Sequence, residues 1–263
     1  MKFIGAILVI MLLVTITGCG GGGGGSTSIP LSDTIRAWQA GDEWVYRITG
    51  TVNDGIDTLQ VSGTFTQTVS GTTIAMPISG TAHILSQAVT LTSVIDDVSY
   101  TDVSKLYFTQ AANGTIWEHG GQDTTNGDYW ITSPSIGMVI NMPSPMTIGT
   151  SWGDQVEYSS GEAVDTDSTV TGTETVRVPA GTFNTYKGTM NGTLSGMPGS
   201  FTGWYAPQTG NLIKMVGTCT DSTQGINMNL TIELQSKNRA ANEAIVKPSD
   251  EKLGVWLKSQ FKK

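Results

Sequence analysis

The sequence predicts an all-β protein: an extended, curved antiparallel sheet, half-barrel or sandwich-like, with an amphipathic helix at the C-terminus. Three observations carry this. Apolar and polar residues alternate with period two along most of the chain, turn-forming residues recur at short intervals, and no helical period is sustained between residues 42 and 236. Clean alternation belongs to antiparallel sheets wet on one side, because parallel sheets are covered on both faces and read as continuous apolar runs.

The elements follow in chain order. Lys2 precedes an apolar run from Phe3 to Ile16, too short to span a bilayer comfortably and suited to a signal peptide over residues 1–18. The run closes on Ile16-Thr17-Gly18-Cys19, which resembles the lipobox of bacterial lipoproteins. That resemblance implies cleavage before Cys19, acyl chains such as palmitate on its sulfur, and a membrane partner reached through the lipid. It also implies the outer membrane, since Gly20 stands where an Asp favours inner-membrane retention. Residues 19–29, with six consecutive glycines from Gly20 to Gly25, read as a flexible tether. A short helix is expected at Asp33 to Ala40, capped by Ser32 or Asp33 and stopped by Gly41.

A β domain over residues 30–236 comes next. Trp44, Tyr46 and Ile48 form one apolar face, and Leu59, Val61, Phe65 and Val69 another. Val170, Val176 and Val178 make a third, and Ile226, Met228, Leu230, Ile232 and Leu234 a fourth. Threonines, 38 in the chain, fill the alternate positions, where β-branched residues favour strands without needing a partner charge. Turn signals stand at Asn53-Asp54-Gly55, Ser70-Gly71, Asn113-Gly114, Asn126-Gly127, Pro179-Ala180-Gly181, Pro198-Gly199 and Pro207-Gln208-Thr209-Gly210, which divides the domain into ten to twelve strands. The Pro-rich stretch at 142–146 marks either a division into two lobes, split near 140–148, or a long connection within one sheet. The tail, residues 237–263, holds seven of the 14 basic residues against Glu243, Asp250 and Glu251. Leu253, Trp256, Leu257 and Phe261 fall on one helical face there.

Charge excludes one class of function. The formal charge is −8, and removing Lys2 and the basic tail leaves 6 basic and 19 acidic residues, a charge of −13 between Cys19 and Ser236. No nucleic-acid partner is expected, because such proteins need a basic face to displace counterions from phosphate. With Cys19 committed to lipid, Cys219 alone remains; it shares a strand face with Ile213 and Met215 and reads as a buried, inert thiol.

Chemistry-bearing residues concentrate in one segment. Residues 117–130 bring Trp117, His119, Asp123, Asp128 and Trp130 into what reads as a loop, suited to stacking a sugar or holding a polar ligand. Asp165-Thr166-Asp167 near Glu162 lacks the glycine and distal Glu of a calcium loop. No nucleophile elbow, phosphate loop or His-x-x-x-His pattern is present, so no catalytic residue, metal ligand or cofactor is assigned.

Val176-Arg177-Val178-Pro179-Ala180-Gly181-Thr182-Phe183-Asn184-Thr185-Tyr186-Lys187, followed by Trp204-Tyr205-Ala206-Pro207-Gln208-Thr209-Gly210, resembles the recurring pattern of the TapB-like group of uncharacterised bacterial envelope proteins; Gly41-Asp42-Glu43-Trp44-Val45-Tyr46 resembles their opening strand. The resemblance spans residues 38 to 236 and implies a curved antiparallel sheet in a lipoprotein of the periplasm or outer membrane, with no catalytic residues to carry over. The expected function is non-enzymatic: binding an apolar ligand or an envelope protein on the curved sheet. The alternative is an envelope carbohydrate-binding module or hydrolase using the 117–130 segment.

Overall fold

The computed structural model describes residues 31–238 apart from 54, 78–79, 94–98, 125–126, 134–138, 154, 195–196 and 223–224. The signal peptide, Cys19, the glycine tether and the C-terminal helix expectation lie outside the described residues. Fourteen strands succeed one another: β1 (Glu43–Asn53), β2 (Thr58–Ala75), β3 (Thr81–Ser93), β4 (Ser99–Gln110), β5 (Ile116–Asp123), β6 (Gly127–Ser133), β7 (Val139–Met142), β8 (Ser151–Trp152), β9 (Gln155–Tyr158), β10 (Ala163–Val178), β11 (Gly181–Leu194), β12 (Met197–Ala206), β13 (Asn211–Asp221) and β14 (Ile226–Asn238).

All strand pairings are antiparallel, and twelve of the strands close into a barrel; the short β7 and β8 pair with β5 and β10 beside it. This corrects the open, half-barrel or sandwich-like expectation. Consecutive strands pair with their chain neighbours, apart from the step from β6 to β9, and the ring shuts where β1 meets β14 from Glu43↔Asn238 to Asn53↔Asn227. Alternation reveals which face of each strand is buried, but closure depends on a pairing between chain ends that no local pattern records.

The inward faces are those the alternation marks. Trp44, Tyr46 and Ile48 are fully buried, as are Ile232 and Leu234, and they join Phe65, Leu85, Phe108, Met215 and Phe201 in one core whose buried members are at most 9% exposed. Cys219 belongs to this core, and burial pushes its thiol up. Glycine on the inner wall makes room for rings. A Cβ on Gly217 would fall 2.0 Å from Phe201 Cδ1 and 2.7 Å from the Ser200 carbonyl oxygen, so the Phe201 ring occupies the space a side chain would need. Outside, the wall is wet. Thr64, Thr66 and Thr68 face outward on β2, and Glu174, Lys187, Lys214, Glu233 and Arg47 form ion pairs across the strands at 3.2, 3.0 and 2.7 Å. Apolar inside and polar outside is the reverse of a barrel that spans an outer membrane.

The expected helix at residues 33–40 is instead an irregular strap across one opening of the barrel. Its amides bond to the barrel and not to one another: Ile35 N to Ser144 Oγ at 3.1 Å, Arg36 N to the Pro207 carbonyl at 3.3 Å, and Trp38 N to Gln110 Oε1 at 2.9 Å. Ile35 is buried, Trp38 stacks edge-on to Phe108, and Arg36 pairs with the fully buried Asp42 at 3.1 Å. Tertiary partners outcompete the helical bonds that eight residues supply weakly. Two turn signals also resolve differently. Ser70-Gly71 sits in a bulge of β2, and Pro198-Gly199 lies within β12, where Gly199 pairs with Gly192. Replacing Gly217 with Ala is expected to cost about 1–3 kcal/mol through overpacking against Phe201, whereas Thr218→Ala on the outer face should stay within about 0.5 kcal/mol. Urea unfolding of the two variants would show equal losses if the ring did not fill that space.

Candidate functional site

Residues 116–133 form the β5–β6 hairpin, not a loop, and only residues 124–126 connect its strands. Strand alternation therefore deals the predicted site residues to opposite sides of the wall. Trp117, Asp128 and Trp130 belong to the outer face. Asp123 falls on the inward side, aligned with Gly121, which pairs with the core residue Leu106. His119 is the extra residue of a bulge, since Tyr107 pairs with Gly120 and Phe108 with Glu118. The bulge needs glycine next to it: Gly120 has φ +147°, and a Cβ there would meet the Tyr129 carbonyl oxygen at 2.2 Å.

The outer face carries a connected polar network. Asp128 accepts the Tyr107 hydroxyl at 2.5 Å and the Gln122 amide at 2.9 Å, and Lys105 donates to Gln122. The Trp130 ring lies 5.1 Å from that of Tyr107, tilted by 33°. Trp117 and Trp130 are half-buried, whereas Tyr107 is buried, and burial and the adjoining carboxylate of Asp128 hold its hydroxyl protonated. His119 is not an open imidazole: it is buried, with Nε2 2.9 Å from Thr109 Oγ1.

The inner face holds a second group: Glu118 lies within the 117–130 segment but outside its expected site residues, and Asn141 and Tyr158 lie outside the segment. Glu118 is buried and accepts Asn141 Nδ2 at 2.8 Å and the Tyr158 hydroxyl at 2.9 Å. Burial pushes the Glu118 carboxyl up, with the two hydrogen bonds opposing it. Tyr129 packs edge-on to Tyr158, ring centres 5.4 Å apart, and burial followed by the charge of Glu118 raises its hydroxyl. Above them, burial and Asp123 raise the carboxyls of Asp102 and Glu162, and burial with Asp102 pushes Tyr100 up to about 12. Glu118 and Tyr158 are found by the period-two rule itself. With Trp117 facing out, Glu118 must face in.

Chemically the inner group is a buried carboxyl that accepts two hydrogen bonds, beside the small secondary core of Ile131 and Val156. Among the described residues no three His, Cys, Asp or Glu side chains stand close enough to hold a metal ion. Asp165 bonds to Gln155 at 3.1 Å on the outer wall. His83, near the start of β3, lies 5.6 Å from the Phe108 ring.

No protein-family model matches the chain, and no curated protein matches it. Among solved structures it is similar to one described as an exported protein with a YmcC-like fold from Bacteroides fragilis, at 13% identity and a TM-score of 0.40, covering 78% of this chain and 99% of that one. A second, described as a lipoprotein from Parabacteroides distasonis, has 11% identity and a TM-score of 0.40, covering 79% and 99%. The TapB-like resemblance rests on the residues quoted for it alone.

Two outcomes follow from the inner face. Because the Glu118 carboxyl is raised, the folded protein holds that proton more tightly than the unfolded chain, so its contribution is present at low pH and is lost as pH rises through the raised value. Glu118→Gln is neutral throughout, and its stability relative to wild type should climb over that interval in denaturant titrations; a flat difference would show that the carboxyl is not raised. His119→Ala should cost about 1–3 kcal/mol, as expected for a buried hydrogen-bonded side chain, with an unchanged melting temperature as the contrary result.

Proposed function

We propose that this is a non-enzymatic, lipid-anchored protein of the bacterial cell envelope, held by acyl chains on Cys19 at the outer membrane, facing the periplasm or the cell surface, and that it engages an envelope partner through the outer face of β4, β5 and β6. The observation that carries this reading is the linked set Lys105, Gln122, Asp128, Tyr107 and Trp130, displayed on a wall made rigid by a filled barrel. Aromatic anchors surrounded by polar groups on a firm support are what a recognition surface requires. The tight burial of the inward apolar residues weighs against an apolar ligand inside the barrel. Half-buried Trp130 beside the Asp128 carboxylate and Gln122 amide also favours a second reading, a carbohydrate ligand stacked on the indole.

A photo-crosslinking amino acid at position 130 in cells should yield one adduct of defined mass, while the same group at Val216, outward on β13 and 39% exposed, should yield none. Equal labelling at the two positions would remove the partner surface from this face. In a glycan array, Trp130→Ala should lose binding under the carbohydrate reading with its fold intact. Absence of any glycan bound by the wild type disposes of that reading.

A further inference from the structure

The barrel has two unlike rims, and both chain ends leave from the same one. Glu43, which opens β1, pairs with Asn238, which closes β14, and the Asn238 amide bonds to Glu43 at 3.2 Å. The β10–β11 turn reaches this rim as well: Ala180 N bonds to the Leu234 carbonyl at 3.1 Å, and the Lys237 ammonium lies over the Phe183 ring at 5.1 Å. Arg177 is exposed beside it. Six further basic residues follow Lys237 in the sequence. β1, β3, β5, β9, β11 and β13 end at the opposite rim, and the sequence segments that follow them, 53 to 58, 94 to 98, 124 to 126, 159 to 162, 195 to 196 and 222 to 225, contain no Lys or Arg. That rim carries Asp57, Asp102, Asp123, Glu162 and Asp221.

We infer that the rim formed by Glu43, Arg177, Phe183, Lys237 and Asn238 rests on an anionic lipid surface, with the acidic rim directed away from it. The inference builds on the proposed anchor at Cys19. Leu31 is twelve residue steps from Cys19, so even fully extended, at about 3.3–3.6 Å per residue, the strap cannot stand more than about 43 Å from the acyl chains. Within that radius two electrostatic effects act together. A negative leaflet attracts basic segments next to it, each Lys or Arg contributing about 1 kcal/mol near the surface, and it repels carboxylates. A half-buried aromatic, Phe183, beside Lys237 and Arg177 is also the residue set of a membrane–water interface. The protein is therefore an oriented electrostatic dipole, basic end down, and not a body tumbling freely on its leash.

The test uses the acylated protein in vesicles of phosphatidylethanolamine and phosphatidylglycerol carrying a headgroup quencher. Fluorophores are placed at Thr182→Cys, on the β10–β11 turn, and at Ile56→Cys, 88% exposed on the acidic rim. Quenching should be several-fold stronger at position 182 than at 56, and the contrast should shrink at high salt and in vesicles of phosphatidylcholine alone. Equal quenching at both sites in protein that floats with the vesicles overturns the orientation while leaving the anchor standing. Failure to float, with behaviour like that of Cys19→Ser, overturns the anchor and the orientation with it.

Discussion

The ladder between β1 and β14 is the interaction on which the rest of this molecule depends. Every other principal pairing except that of β6 with β9 joins neighbours along the chain, and a hairpin needs only a turn and a short approach. β1 and β14 bring together residues as far apart as Glu43 and Asn238, so their hydrogen bonds convert a meander into a ring. Closure shuts Trp44, Tyr46 and Ile48 away from solvent and removes nearly all free strand edges. It also puts the two chain ends side by side, and from that follows the difference between the rims.

The wall is thin enough that each strand serves two environments at once. On β5 and β6, consecutive residues alternate between a buried polar group and a surface network. Glu118 and Tyr129 face in while Trp117, Asp128 and Trp130 face out. Tyr107 belongs to the outer side, its ring buried beside Trp130 and its hydroxyl donating to Asp128. Interior polarity here is tolerated because Glu118 is bonded twice and its neighbours hold their protons.

Much of this was legible in the sequence, and the exceptions have physical reasons. The faces of β1, β2, β10 and β14 follow directly from alternation, with Ile226 through Leu234 buried at every second residue. Three kinds of feature escaped. Ring closure is a long-range pairing with no local trace. The strap at residues 31–41 has the capping and spacing of a helix but finds stronger partners in Ser144, Pro207 and Gln110. Gly199 and Gly71 look like turns, although glycine in a strand also marks a bulge or a close ring. At the candidate site the segment was found and its geometry was not. Treating residues 117–130 as a loop hid the alternation that sends Asp123 inward and brings Glu118 and Tyr158 together.

The adjacency of the chain ends has a mechanical side. A pull transmitted from a membrane through Glu43, and resisted by anything held at the far rim, runs along the axis of β1. Its bonds to β14 and to β2 then lie across the load, eleven residue pairs on each side, and must fail nearly together. Peeling would break them one at a time under far smaller force. The strand that seals the barrel is thus also the one that bears tension, and it is loaded in shear, the direction in which a β ladder is strongest.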